Sequence, residues 1–238
     1  GEEQHRPTPL LERTMRALTL TTPRMFQDRL DAARQLSQAL RHYRGQNPLV
    51  LAIPRGAVPM GAAMAEALQG QLDVVLVRKL RAPLQPEVAI GAVDETGLAY
   101  VSPYADPLDL DPAYLKDEIQ LQMKTLEARR RQYAEIQMPI PVQGRVVIVV
   151  DDGLATGATM LAALQALRRH KPLRLVCAIP VASPHALSKI QAVADETVCL
   201  SAPEDFMAVG QFYRQFPQVS DAQVLATLRS QASAAPHH

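Results

Sequence analysis

The sequence holds few cysteines, no surplus of charge of either sign and no apolar run of bilayer-spanning length, and each lack excludes something. Its two cysteines, Cys177 and Cys199, sit inside apolar runs without the close Cys/His spacing of a zinc site. They read as reduced core residues, not as a disulfide framework or a metal centre. Lys and Arg number 25 against 24 for Asp and Glu, so the chain lacks the broad positive field of nucleic-acid and anionic-membrane binders. No nucleic-acid partner is expected. A membrane-crossing helix needs about 20 mostly apolar residues in a row, and the polar N-terminus is not a basic segment followed by an apolar one. No membrane partner is expected either, and the cytoplasm is the expected compartment.

What is present suffices for one core. A chain of 238 residues with 47% hydrophobic content can bury one large domain, and the pattern needs no internal repeat. Residues 1–21, with Pro7 and Pro9 and no sustained period, read as a mobile arm; 22–230 read as a single domain and 231–238 as a tail. Thr22 as N-cap and Pro23 at the first helical position precede Phe26, Leu30, Ala33, Leu36 and Leu40, which recur at helical spacing until Gly45.

Beyond this helix the chain alternates between strand and helix. Leu49 to Pro54 and Leu72 to Lys79 read as buried strands, with a small-residue helix from Val58 to Leu68 between them. A Pro-rich loop from Leu80 leads to two short strand-like pieces around Asp94-Glu95-Thr96-Gly97, which predicts an exposed flap or hairpin. Asp111 and Pro112 open a long helix to about Glu135, with Leu115, Ile119, Met123 and Leu126 on its apolar face and Arg129-Arg130-Arg131 as a solvated end. Strand Arg145 to Val150, helix Ala158 to Arg169, strand Leu173 to Val181, helix Pro184 to Ala192 behind Ser183, and strand Thr197 to Leu200 complete the alternation. A final helix is capped at Ser220. The predicted fold is α/β: an open, mainly parallel five-stranded sheet with helices on both faces, a flap and a small hood from 22–45 and 203–230.

The informative segment is RVVIVVDDGLATGATM, Arg145 to Met160. Five aliphatic residues deliver Asp151 and Asp152 to the carboxyl end of a strand, where open α/β sheets place their ligands. Gly153 to Thr159 are small, and a helix follows. A helix start has unpaired N–H groups and a partial positive charge, so it holds a phosphate without Lys or Arg. Thr156 and Thr159 add hydroxyl donors, and Gly157 permits close backbone approach. The paired carboxylates would accept hydrogen bonds from vicinal sugar hydroxyls or steer a divalent cation; by themselves they also fit a simple helix cap. The segment lacks the Gly-Lys-Ser/Thr ending of a P-loop and the glycine spacing of the dinucleotide fingerprint.

The apolar run, the acidic pair and DDGLATGAT resemble the phosphoribosyl diphosphate (PRPP) signature of type I phosphoribosyltransferases, and the ATG within it is similar to the adenine and uracil enzymes. PRGAVPMG after the first strand, VRKL after the second, the Pro-rich flap and the tail agree, and the likeness covers roughly Phe26 to Leu228. The resemblance implies a transferase that uses PRPP and Mg²⁺, joins a nitrogenous, nucleobase-like acceptor to the phosphoribosyl group and releases pyrophosphate, as a homodimer. It assigns the ribose hydroxyls, and an indirect Mg²⁺ contact, to Asp151 and Asp152. It assigns the 5′-phosphate to the loop Gly153, Ala155, Thr156, Gly157, Ala158 and Thr159, and pyrophosphate to Arg55, Gly56 and Lys79. Glu87 in the flap is the candidate acid or base, and Phe206 in the hood the candidate stacking partner of the acceptor, with Tyr213 adding a hydrogen bond. Ala155 stands where hypoxanthine/guanine enzymes carry an Asp, which speaks against hypoxanthine, guanine and xanthine. A PRPP-sensing regulator and a ribosyl-phosphate hydrolase would use the same cradle.

Overall fold

The structure, a computed structural model, describes residues 24–234. The arm over 1–21, the Thr22 and Pro23 helix start and the last residues of the tail lie outside the described residues. In chain order the elements are α1 (Arg29–Ala39), β1 (Leu49–Ala52), α2 (Val58–Ala67), β2 (Gln71–Val74), β3 (Val77–Ala82), β4 (Gln85–Asp94) and β5 (Ala99–Val101). There follow α3 (Pro112–Ala134), β6 (Val146–Val150), α4 (Ala158–Arg168), β7 (Arg174–Val181), α5 (Pro184–Gln191), β8 (Glu196–Ser201) and α6 (Asp221–Ala234).

Five strands form the expected sheet, in the order β2-β1-β6-β7-β8, and every pairing is parallel. The central strand β6 shows why its sequence is unbroken Val and Ile. Val146, Ile148 and Val150 point into a core shared with α1, α2 and α6, whereas Val147 and Val149 enter a second core under α4 and α5. A strand covered on both faces has no position left for a polar residue. Cys177 and Cys199 are buried as expected, and burial pushes both thiols up, Cys199 to about 11.

Three expectations are corrected. The helix predicted from Thr22 begins at Arg29 instead, with Asp28 as its N-cap: the Asp28 carboxylate accepts from Asp31 N–H at 2.8 Å. Phe26 is buried, but on extended backbone that pairs with the segment at Tyr213, its N–H donating to Phe212 O at 2.8 Å. The apolar run Leu72 to Lys79 is two strands in two sheets. β2 is the edge of the parallel sheet, and after Val74 the chain leaves it; β3 then pairs antiparallel with β4, and β4 with β5, to form the flap as a separate three-stranded sheet.

The third correction concerns Arg129-Arg130-Arg131. Arg129 and Arg131 are exposed as expected, but the Arg130 side chain is 15% exposed and donates through its guanidinium to both carboxylate oxygens of Glu95, one of them at 2.7 Å. Its Nη1 also lies 3.9 Å from Asp73 Oδ1, on the parallel sheet. Arg130 thus ties the flap's β4–β5 turn to β2. Removing one partner of a buried pair leaves the others' charges desolvated. Arg130→Ala is therefore expected to lower stability by about 3 kcal/mol, and Arg131→Ala to change it by less than about 0.5 kcal/mol. Urea unfolding of the two variants side by side checks the contrast.

Candidate active site

The sheet order itself locates the crevice. From β1 the chain moves outward to β2, while from β6 it moves the opposite way to β7 and β8. Ligands of open α/β sheets bind where that reversal opens a gap, beyond the carboxyl ends of the two diverging strands. Those ends carry Pro54, Arg55 and Gly56 after β1, and Asp151 and Asp152 after β6. The Pro54–Arg55 peptide bond is cis.

The two loops are in contact. A Cβ at position 56 would stand 2.6 Å from Asp152 Oδ2, so only Gly56 lets the carboxylate lie against that backbone. The same oxygen accepts from Arg29 Nε at 3.2 Å. Arg29 Nη1 donates to Pro217 O, and its guanidinium lies 4.0 Å over the Phe216 ring. Tyr213 OH donates to the backbone oxygen of Asp152 at 2.6 Å, and Tyr213 stacks on Phe216. Asp152 N–H donates to Asp151 Oδ1 at 2.9 Å. Burial, and next the adjacent Asp152 charge, push the Asp151 carboxyl well above the usual carboxylate range. Burial raises Asp152 too, with Arg29 pulling it part of the way back.

The loop that follows is pinned from one side and open on the other. Leu154 is buried; its N–H donates to Val181 O at 2.9 Å, and Ser183 Oγ donates to Ala155 O at 2.7 Å. Gly157 caps α4 with φ of +76°, a left-handed turn that a side chain would strain. Ala158 N–H donates to Thr156 Oγ1 at 3.3 Å. Among the described residues, the N–H groups of Ala155, Thr156 and Gly157 have no hydrogen-bond partner, and Ala155, Thr156 and Thr159 are exposed.

Two cavities open beside these loops. The larger, about 590 Å³, is lined by Arg29, Arg55, Gly56, Tyr133, Asp152 and Asp221, among others. The smaller, about 310 Å³, lies between the flap, α3 and the start of α4, with Lys79, Glu87 and Thr159 on its walls. Pro54 and Arg129 line both. The structure thus brings Arg55, Gly56 and Asp152 to one cavity and Lys79, Glu87 and Thr159 to the other. Lys79 stands inside β3 of the flap and not at the end of a core strand. Phe206 packs on the Phe212 ring at 5.4 Å and lines neither cavity. Tyr213 is buried with its hydroxyl committed to Asp152.

Sequence reasoning missed Arg29, Arg129, Tyr133 and Asp221. For Arg129 and Tyr133 a signal existed: Leu115, Ile119, Gln122, Leu126, Arg129 and Tyr133 follow one another at spacings of three and four, one face of a helix. Arg29 and Asp221 had none, because they reach the site only through the packing of α1 and the start of α6. No group of three or more His, Cys, Asp or Glu side chains able to hold a metal occurs among the described residues, and none of the described helices is long and apolar enough to cross a membrane.

Comparison with known proteins places the chain. Residues 20–217 match the model of the family described as the phosphoribosyl transferase domain. Two Mycobacterium tuberculosis relatives, both named "Putative phosphoribosyl transferase", are 41% identical over 206 residues, which cover 86% of this chain and 46% of each relative. The chain spans about half the length of the curated relatives it matches. The crystal structure of TT1426 from Thermus thermophilus matches with a TM-score of 0.81 and 43% identity, over 87% of this chain and 99% of that one.

The raised carboxyls carry a sign. A folded-state pKa above the unfolded value means that the pair's contribution to stability is complete below the ordinary 3.8 and is lost as pH rises through the folded-state values. Asp151→Asn cannot ionise, so it is expected to raise stability at pH 7 by about 1 kcal/mol. The gain should fade as pH is lowered to 3.8. Urea unfolding across that pH range reads it; a gain equally large at pH 3.8 would contradict a desolvated carboxylate.

Proposed function

Because the chain belongs to the phosphoribosyl transferase domain family, we propose that it transfers the phosphoribosyl group of PRPP to a nitrogenous, nucleobase-like acceptor and releases pyrophosphate. One observation carries the reading: three unpaired backbone N–H groups, on Ala155, Thr156 and Gly157, follow a desolvated pair of carboxylates with only Gly153 and Leu154 between. A ribose phosphate has an anionic end for the first and a diol for the second. The N–H groups, with the Thr156 and Thr159 hydroxyls and the backbone of Gly153 and Ala158, take the 5′-phosphate. Asp151 and Asp152 accept from the ribose 2′- and 3′-hydroxyls.

The rest follows from where charge moves. As the C1–O bond breaks, its electron pair goes to the leaving pyrophosphate, and C1 becomes cation-like. Arg55, at the mouth of the larger cavity, and Lys79, on the wall of the smaller, stabilise the pyrophosphate charge, and Gly56 lets its oxygens approach the backbone. The acceptor nitrogen donates its lone pair to C1 and gives up its proton; Glu87, on the flap wall of the smaller cavity, is the candidate that takes it. Closing the flap over residues 80–97 keeps water, a rival nucleophile, from C1.

Mg²⁺ prefers one or two carboxylates plus substrate phosphates to an all-protein cage. Asp151 and Asp152 are a donor set of that size, and would hold the ion indirectly, through PRPP hydroxyls or water. The ion would screen the charge of the pyrophosphate. The acceptor would lie under the hood formed by 22–45 and 203–230, with Phe206 as its stacking partner once the hood closes. Ala155 argues against hypoxanthine, guanine and xanthine. A cytoplasmic homodimer within nucleotide metabolism fits this activity.

Calorimetric titration with PRPP, with and without Mg²⁺, followed by a pyrophosphate-release screen across nucleobases, tests the reading. The double substitution Asp151→Asn, Asp152→Asn should weaken PRPP binding by about 100-fold or more while the chain stays folded, the loss expected for two charge-assisted contacts. Undiminished affinity would sink the diol contacts. Binding without release for every acceptor would favour a PRPP sensor, and ribose 5-phosphate as the sole sugar product a hydrolase.

A further inference from the structure

The long helix α3 carries charge that its place in the fold does not consume. Of the cations lining the smaller cavity, Arg78 donates to Gln122 Oε1 at 3.0 Å, and Arg81 is clamped by the buried Glu118 at 2.8 Å. The side chains of Lys79 and Arg129 make no hydrogen bond or ion pair among the described residues. In the larger cavity, Arg29 is engaged with Asp152, and Arg55 lies 3.7 Å from Asp221. Arg129 is therefore the one guanidinium that lines both cavities and is uncommitted among the described residues.

Its position is fixed by the helix around it. Leu126, three residues earlier, and Tyr133, four residues later, are both buried, so Arg129 rises from the inward-facing stripe of α3. Arg55, Arg129 and Tyr133 all line the larger cavity, so the two guanidiniums border one volume. Pro54, which opens the cis-bonded loop, is the other residue common to the two cavities. Pro54 and Arg129 thus mark the place where the two cavities adjoin.

Two unneutralised cations, Lys79 and Arg129, with Arg55 beside them, suit a dense polyanion that no single one could balance. We infer that Arg129 is a further leaving-group residue: its guanidinium reaches across the junction from α3 and forms a bidentate contact with the pyrophosphate of PRPP opposite the Arg55 loop. This rests on the proposed transferase reading. It assigns to α3 a part of the substrate distinct from the ribose 5-phosphate end held by Asp151 to Thr159. The contact tightens as negative charge accumulates on the leaving oxygens, so it contributes to turnover as well as to binding.

The test separates the two ends of the substrate. Calorimetry with PRPP, with inorganic pyrophosphate and with ribose 5-phosphate is run on the unaltered protein, Arg129→Ala, Arg129→Lys and Arg131→Ala. Arg129→Ala should weaken PRPP and pyrophosphate by about 10- to 100-fold, the range of a charge-assisted contact, and leave ribose 5-phosphate unchanged, which also shows that the variant is folded. Arg129→Lys should recover part of the loss, since it keeps the charge without the fork, and Arg131→Ala should match the unaltered protein. Unchanged pyrophosphate binding in Arg129→Ala, or an equal loss for all three ligands, overturns the assignment. An unaltered protein that binds none of the three would instead bring down the transferase reading itself, and this inference with it.

Discussion

The Asp152 carboxylate occupies the space that a side chain at position 56 would need, and much of the site is arranged around that contact. It requires that β1 and β6 be neighbours, since only adjacent parallel strands place their carboxyl-end loops within touching distance. It requires a glycine directly after the cis-bonded residue of the first loop. It also leaves a carboxylate pair little exposed to water, which is why a cation from a third element, Arg29 of α1, is drawn in beside it. Burying two like charges is costly, and hydrogen-bond donors brought against them relieve that cost.

Arg29 does more than offset charge. The same guanidinium holds Pro217 O and covers the Phe216 ring, and Tyr213, stacked on that ring, donates to the Asp152 backbone. Phe26 packs on Tyr213 at 5.6 Å and pairs with its strand, so the N-terminal and C-terminal parts of the hood are one unit. The segment 213–217 is thereby tied to the loop that carries the acidic pair. Phe206 instead stacks on Phe212 and lines neither cavity.

The sequence was most legible where local chemistry and burial agree. Strand β6 is apolar on both faces because both are covered, and Asp111, Ser183 and Ser220 cap their helices where the pattern puts them, with Ala113, Ala186 and Gln223 N–H as the donors. It misled where one pattern serves two environments. Leu72 to Lys79 is continuous in hydropathy, yet its first half completes a parallel sheet and its second half starts an antiparallel one; nothing in the residue types marks the bend. Three consecutive arginines likewise look alike in sequence, but a helix turns about 100° per residue. Arg129 and Arg131 are both exposed, Arg129 where it borders the two cavities, and Arg130 between them is held by Glu95 and Asp73.

Sequence alone determined the alternation of strand and helix, the acidic pair at the end of an apolar strand and the small-residue loop after it. These are properties of contiguous residues, and backbone N–H groups at a helix start lack an intrahelical partner whatever surrounds them. Tertiary structure alone decided that Arg29 meets Asp152 across 123 positions, that Gly56 makes room for that carboxylate, and that Arg129 joins the Pro54 loop at the boundary of two cavities. Such meetings depend on which strands are neighbours and how the helices lie over them, and that is settled by the burial of the whole core, not by any single segment.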